Sequence, residues 1–123
     1  MAAAAFDTFL ATLREPSGPT LSPRRMAEAL HMGVTELAGL ARVHRNTVTG
    51  NPESAQLQSA MRDIVKVLAA ASRVNEDREA TLFWFLNHPI ADFEYQTAAE
   101  LVQKDKVESV IHYLATLEGG ATG

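Results

Sequence analysis

The sequence predicts an all-α fold, and three observations lead there. Apolar residues recur at helical spacing in nearly every segment, no strand-like alternation is long enough to compete, and prolines and glycines fall between the periodic runs. With 46% apolar and 21% charged residues over 123 positions, the chain has the balance of one globular unit with its own core.

The elements follow in order. Phe6, Phe9, Leu10 and Leu13 form one stripe of a short helix, which Pro16-Ser17-Gly18-Pro19 ends. Ser22 is the expected N-cap of a second helix, with Pro23 in its first turn and an end near His31, broken by Gly33. Thr35–Ala41 and Arg45–Thr49 read as two further short helices, closed by Gly50-Asn51-Pro52. The longest periodic run is 53–73. Leu57, Met61, Ile64, Leu68 and Ala71 line its core face, with Gln58, Arg62, Lys66 and Arg73 off it.

Asn75-Glu76-Asp77 caps the next helix, which runs through Leu82-Phe83-Trp84-Phe85-Leu86 and stops at Asn87-His88-Pro89. That run is apolar on every side, so Trp84 is expected in the core, and His88 in a turn. Two capping boxes follow, Thr97 with Glu100 and Asp105 with Glu108. The last helix is expected to bury Val107, Val110, Ile111, Leu114 and Leu117 and to end on Gly119-Gly120. Three parts are expected: a helix and linker over 1–20, a helix-turn-helix unit with the long helix over 21–74, and a C-terminal domain over 75–123 with a flexible glycine-rich tail.

The absence of cysteine excludes disulfides, thiolate zinc sites and a cysteine nucleophile. No apolar run reaches the ~20 residues of a membrane span, and the start, Met1-Ala2-Ala3-Ala4-Ala5-Phe6, lacks the basic segment of a signal peptide. A cytoplasmic protein is expected. No catalytic motif is present: no Gly-x-Ser-x-Gly, no phosphate loop with lysine, no His-Glu-x-x-His. The expectation is a binding protein without catalytic residues, metal or cofactor. Glu108 and His112 share a helical face, but no third ligand has metal spacing, so a surface Glu–His pair is the simpler reading.

The net charge of −4 is unevenly spread. Residues 21–51 carry Arg24, Arg25, Arg42 and Arg45 against Glu28 and Glu36, a balance of +2. Residues 81–123 carry Lys104 and Lys106 against Asp92, Glu94, Glu100, Asp105, Glu108 and Glu118, a balance of −4. A nucleic acid would meet the first stretch and be repelled by the second.

Ala38, Val43 and Val48 stand five apart, with Leu37, Leu40 and Ala41 adding core contacts. This spacing resembles the helix-turn-helix of Xre/Cro-type repressors, whose second helix enters the major groove. The resemblance implies that Arg42, His44, Arg45, Asn46, Thr47 and Thr49 face DNA. Arg42 occupies the turn position where glycine is usual.

The C-terminal part resembles the small toxin-binding domain of the Xre/MbcA/ParS antitoxin family. Trp84, Leu86, Asn87, Pro89, Leu101, Val102, Val110, Leu114 and Gly119 carry the match. The family has glycine and then proline-leucine where this chain has Phe93 to Ala99, and glycine near the break at Lys104-Asp105-Lys106. The resemblance implies the antitoxin of a type II toxin–antitoxin system. It would cover the active site of a RES-domain toxin that degrades NAD and repress its own operon as a dimer on operator DNA.

Phe93 and Tyr95, in an acidic non-helical stretch, are the candidate exposed aromatic contacts, the alternative being that either one pins the loop. With them, Lys104, Lys106, His112, Tyr113, Glu118, Gly119 and Gly120 are the expected toxin-binding residues. The chain's acidic last third suits a basic nucleotide pocket, and its glycines suit entry into a narrow cleft. The alternatives are a stand-alone helical dimerisation or adaptor module, a plain helix-turn-helix transcription regulator, and a regulator sensing a small ligand, for which the sequence offers no recognisable polar pocket.

Overall fold

Residues 2–120 are described in a computed structural model of the chain, with side chains described for 5–118. The described residues form eight α-helices and one 3₁₀ turn, with no sheet. The helices are α1 (Ala2–Ala11), α2 (Pro23–Ala29), α3 (Val34–Ala41), α4 (Arg45–Gly50), α5 (Ala55–Ser72), α6 (Arg78–Asn87), α7 (Ala98–Gln103) and α8 (Val107–Gly120). The 3₁₀ turn is Ala91–Phe93. No helix among the described residues is long and apolar enough to cross a membrane.

α5 is the central element, packing against α1, α3, α6, α7 and α8. The stripe Leu57, Met61, Ile64, Leu68 and Ala71 is buried as the spacing predicts. One continuous cluster of buried residues runs from Phe6 to Leu114 and joins all three parts of the chain. Gln58 is a correction: it is only 6% exposed and belongs to the interior. Its amide bridges two distant backbone segments. The Leu21 N–H donates to Oε1 at 3.0 Å, and Nε2 donates to the carbonyls of Leu21 and Pro52, each at 2.9 Å.

This bridge explains the segment after α1. Leu13 is deeply buried beyond the helix end, and the chain doubles back so that Arg14 pairs with Leu21. The N–H of Ser22 donates to the Leu13 carbonyl at 2.7 Å. Ser22 then caps α2 as expected, its side chain accepting from the Arg25 N–H at 3.2 Å.

α2 ends earlier than expected, and His31 rather than Gly33 turns the chain. His31 has φ 55°, and the Met32 N–H reaches back to the Ala27 carbonyl at 2.9 Å while His31 N–H reaches Glu28 at 3.1 Å. This is a Schellman end with histidine where glycine is usual. Gly33 lies in an ordinary extended conformation and flanks α3, its N–H donating to the Glu36 carboxylate at 3.0 Å. The left-handed conformation strains any residue with a Cβ by about 1–2 kcal/mol. His31→Gly should therefore raise stability by about 1 kcal/mol, less the entropy glycine adds to the unfolded chain. Chemical denaturation checks this. A loss of stability would show that the imidazole makes a compensating contact.

Asp77 caps α6, its carboxylate accepting from the Glu79 N–H at 3.1 Å. Within the apolar run of α6, Leu82 and Phe85 are buried, Trp84 and Leu86 are half-buried, and Phe83 is 67% exposed. Five consecutive apolar residues cover every face of a helix, so one of them has to face outward. Trp84 is thus at the core's edge rather than inside it. At α8, Asp105 adopts φ 61° and the helix begins at Val107, which leaves Lys106 in the flanking position. The expected Asp105 capping box is therefore not formed. Val107, Val110 and Leu114 are buried and Ile111 is half-buried, but Leu117 is 37% exposed, because the core ends at Leu114. The helix ends at Gly120, on the glycine pair expected to close it. Residues 121–123 of the expected flexible tail lie outside the described residues.

Candidate functional site

The first candidate surface is built on α3 and α4. Leu37, Ala38, Leu40 and Ala41 bury one side of α3, and Val48 anchors α4. Val43, between them, is half-buried against the same core. The connection is only three residues, Arg42 to His44, and Arg42 makes it possible. Its backbone is left-handed (φ 60°, ψ 42°), with the Val43 N–H donating to the Ala38 carbonyl at 3.0 Å and its own N–H to Gly39 at 3.2 Å. α3 is further held from outside: Gln56 Nε2 donates to the Ala41 carbonyl and Gln103 Nε2 to the Gly39 carbonyl, both at 3.0 Å.

The six residues singled out here differ in what they have left to offer. His44 is the N-cap of α4, its Nδ1 accepting from the Asn46 N–H at 3.1 Å. That bond requires the tautomer with hydrogen on Nε2, so the ring offers one donor outward. Thr49 donates its hydroxyl to the Asn46 carbonyl at 3.4 Å, and Thr47 is half-buried. Arg42, Arg45 and Asn46 are exposed, and their side chains enter none of the hydrogen bonds or ion pairs among the described residues. Within five residues of sequence these three offer two guanidinium forks and one amide, the groups that pair with phosphates and base edges.

The second candidate surface lies where the Ala91–Phe93 turn meets α8. Phe93 and Tyr113 contact edge to face, ring centroids 5.7 Å apart at 77°. They line a shallow depression together with His112 and the carboxylates of Asp92 and Glu108. The structure thus brings together three of the singled-out residues, Phe93, His112 and Tyr113. Glu108 and His112 both line it, yet they do not form the expected pair: no ion pair within 4.0 Å joins them.

Tyr95 stands apart from that depression, 71% exposed. Its own N–H donates to the carbonyl of buried Ile90 at 2.9 Å, and Glu94 and Tyr95 are both left-handed, with φ 58° and 65°. Two strained residues in succession make a tight, defined corner that pushes the phenol ring outward. Lys104 Nζ donates to the Gln96 side-chain carbonyl, which ties it to this corner rather than leaving it free. Lys106 and Glu118 are exposed. Gly119 and Gly120 form the end of α8.

The entry to α7 is rigid. Thr97 N–H donates to Glu100 Oε1 at 2.9 Å and Glu100 N–H to Thr97 Oγ1 at 3.1 Å, the capping box expected there. Hydrogen bonds with the Thr97 backbone and then its side chain hold the Glu100 carboxyl below its ordinary pKa. Among the described residues no group of three or more histidines and carboxylates could hold a metal ion.

The residue types on both surfaces are legible in the sequence, but which of them are already engaged is a tertiary fact. His44 and Lys104 are partly engaged, whereas Arg42, Arg45 and Asn46 are not. The exposure of Phe83, which lies beside half-buried Met32 and Leu86 on the groove between α6 and the α2–α3 turn, is a tertiary fact as well. Neither a protein-family model nor a curated protein matches the chain.

Proposed function

We propose that the chain is the antitoxin of a type II toxin–antitoxin pair. Its α3–α4 unit binds operator DNA, and its C-terminal part binds and covers a NAD-degrading toxin with a RES-type domain. The observation that carries this reading is backbone conformation. In both segments where the resembled family has glycine, this chain has left-handed residues without being glycine: Glu94 and Tyr95 before α7, and Asp105 before α8. A left-handed residue costs about 1–2 kcal/mol when it carries a Cβ. Keeping it at those places supports a shared backbone path despite the different residues.

Charge supports the division of labour. The free cations Arg42 and Arg45 belong to the α3–α4 unit, while six carboxylates against two lysines lie in 81–123. A pocket that holds a dinucleotide pyrophosphate is basic, so the acidic part is attracted to it and repelled by DNA.

Co-expression with the protein encoded beside this gene tests the reading. That neighbour alone should arrest growth and drain cellular NAD. The full chain should restore both. Glu118→Lys should weaken the complex about tenfold if the acidic end of α8 meets a basic cleft, measured by titration of purified partners. A harmless neighbour that forms no complex would sink the antitoxin reading. A helical dimerisation module would then lead, and exposed Phe83 is the feature that favours it.

A further inference from the structure

A second kind of site lies away from both surfaces, between α1 and α5. A cleft of about 460 Å³ opens there, floored by Leu10, Leu21 and Val65. Its volume is within the range of small-molecule sites, about 300–1,000 Å³. Three exposed cations line it, Arg14 from the segment after α1 and Arg62 and Lys66 from α5, against the single carboxylate of Asp7.

None of the three is held in an ion pair, although Lys66 and Arg62 both act on the half-buried carboxyl of Asp63 beside them on α5, outside the cleft lining. The two ion pairs among the described residues are Arg24–Glu28 and Arg78–Glu79, and neither involves them. Arg62 and Lys66 are also one helical turn apart, a like-charge spacing that destabilises a helix. A third cation from another element faces the same space. An anion in the cleft would relieve that repulsion and gain charge-assisted hydrogen bonds. The apolar floor asks for something more than a bare ion. A duplex backbone has no apolar body to fill it.

We propose that this cleft binds a small amphipathic anion, an apolar chain or ring bearing one carboxylate, with the carboxylate at Arg14, Arg62 and Lys66 and the apolar body on Leu10, Leu21 and Val65. Because the ligand touches α1 and α5 at once, it clamps the N-terminal helix onto the central one and stabilises the fold by mass action. The site stands independently of the antitoxin reading.

The test uses the full chain and three probes: decanoate, decanol as the same chain without charge, and inorganic phosphate as charge without the chain. Decanoate should bind at least tenfold tighter than either of the others. It should move the amide resonances of 10–14 and 62–66 and raise the unfolding temperature. Arg62→Gln and Lys66→Gln should each weaken decanoate about tenfold, the loss of one charge-assisted contact. Arg73→Gln, which removes the cation capping the end of α5 outside the cleft, should leave it unchanged. Equal binding of decanol or of phosphate would overturn the proposal, as would resonance changes elsewhere. So would variants at Arg62 and Lys66 that weaken duplex DNA binding but not decanoate.

Discussion

Gln58→Ala should lose about 3–4 kcal/mol of stability, the largest single effect expected of a polar residue here. The side chain is buried and makes three hydrogen bonds, one accepted and two donated. Truncation leaves the buried N–H and carbonyl of Leu21 and the half-buried carbonyl of Pro52 without this partner, and each unsatisfied buried group costs about 1–3 kcal/mol. Gln58→Met separates this from the cavity, because methionine keeps the volume and removes the polar atoms. It should lose nearly as much as alanine does. The damage also has a direction. Leu21 precedes the N-cap of α2 and Pro52 follows α4, so the bridge fixes the entry and exit of the helices that carry Arg42, Arg45 and Asn46. Equilibrium denaturation of both variants checks the size. A loss below about 1 kcal/mol would mean that water replaces the amide.

Gln58 also shows what the sequence could and could not disclose. The apolar stripe of α5 was legible because five residues repeat at helical spacing, and burial of all five followed. Gln58 lies on the flank of that stripe, and a polar residue there looks like surface. Its reason to be inside is a backbone partner 37 residues away, which no local pattern contains. The caps at Ser22, Asp77 and Thr97 were legible for the opposite reason, since donor and acceptor are two or three residues apart.

Helix ends without glycine were harder. Of the left-handed positions His31, Arg42, Glu94, Tyr95 and Asp105, only Arg42 was anticipated, from the spacing of Ala38, Val43 and Val48 around it. His31, Glu94 and Asp105 are each spanned by a 6→1 hydrogen bond to a buried residue, such as Lys106 N–H to the carbonyl of Leu101 at 2.8 Å, and Tyr95 follows Glu94 in the same corner. Asp105 illustrates the consequence. A carboxylate three residues ahead of Glu108 has the pattern of a capping box, but the left-handed turn moves it one position too early. On the C-terminal surface, the meeting of Phe93 with Tyr113 needed the Ala91–Phe93 turn to return to α8, a tertiary fact. The cleft of Arg14, Arg62 and Lys66 is likewise assembled from segments nearly fifty residues apart.

Arg45→Ala with Asn46→Ala should reduce affinity for operator DNA by a factor of about 30 to 20,000 while leaving the fold intact. Each side chain that pairs with a base edge contributes about 1–3 kcal/mol, so two lost together give that range. The fold is expected to survive because neither side chain has a hydrogen-bond or ion-pair partner among the described residues, and Val48 still anchors α4. The cap of α4 survives too, since it uses the Asn46 N–H and the His44 ring, not the Asn46 side chain. His44→Ala is the instructive contrast: it removes that cap as well as a donor, so it should lower both DNA affinity and stability. Arg42→Ala should weaken binding to all sequences alike and flatten its salt dependence, as expected for a phosphate contact. Titrations of labelled operator at several salt concentrations, beside thermal unfolding, resolve these outcomes. Toxin neutralisation by the Arg45/Asn46 double variant should be unchanged, because the acidic C-terminal part is untouched. If DNA affinity is unaltered while the chain remains folded, α4 is a structural helix. If neutralisation falls in step with DNA binding, the two surfaces are one.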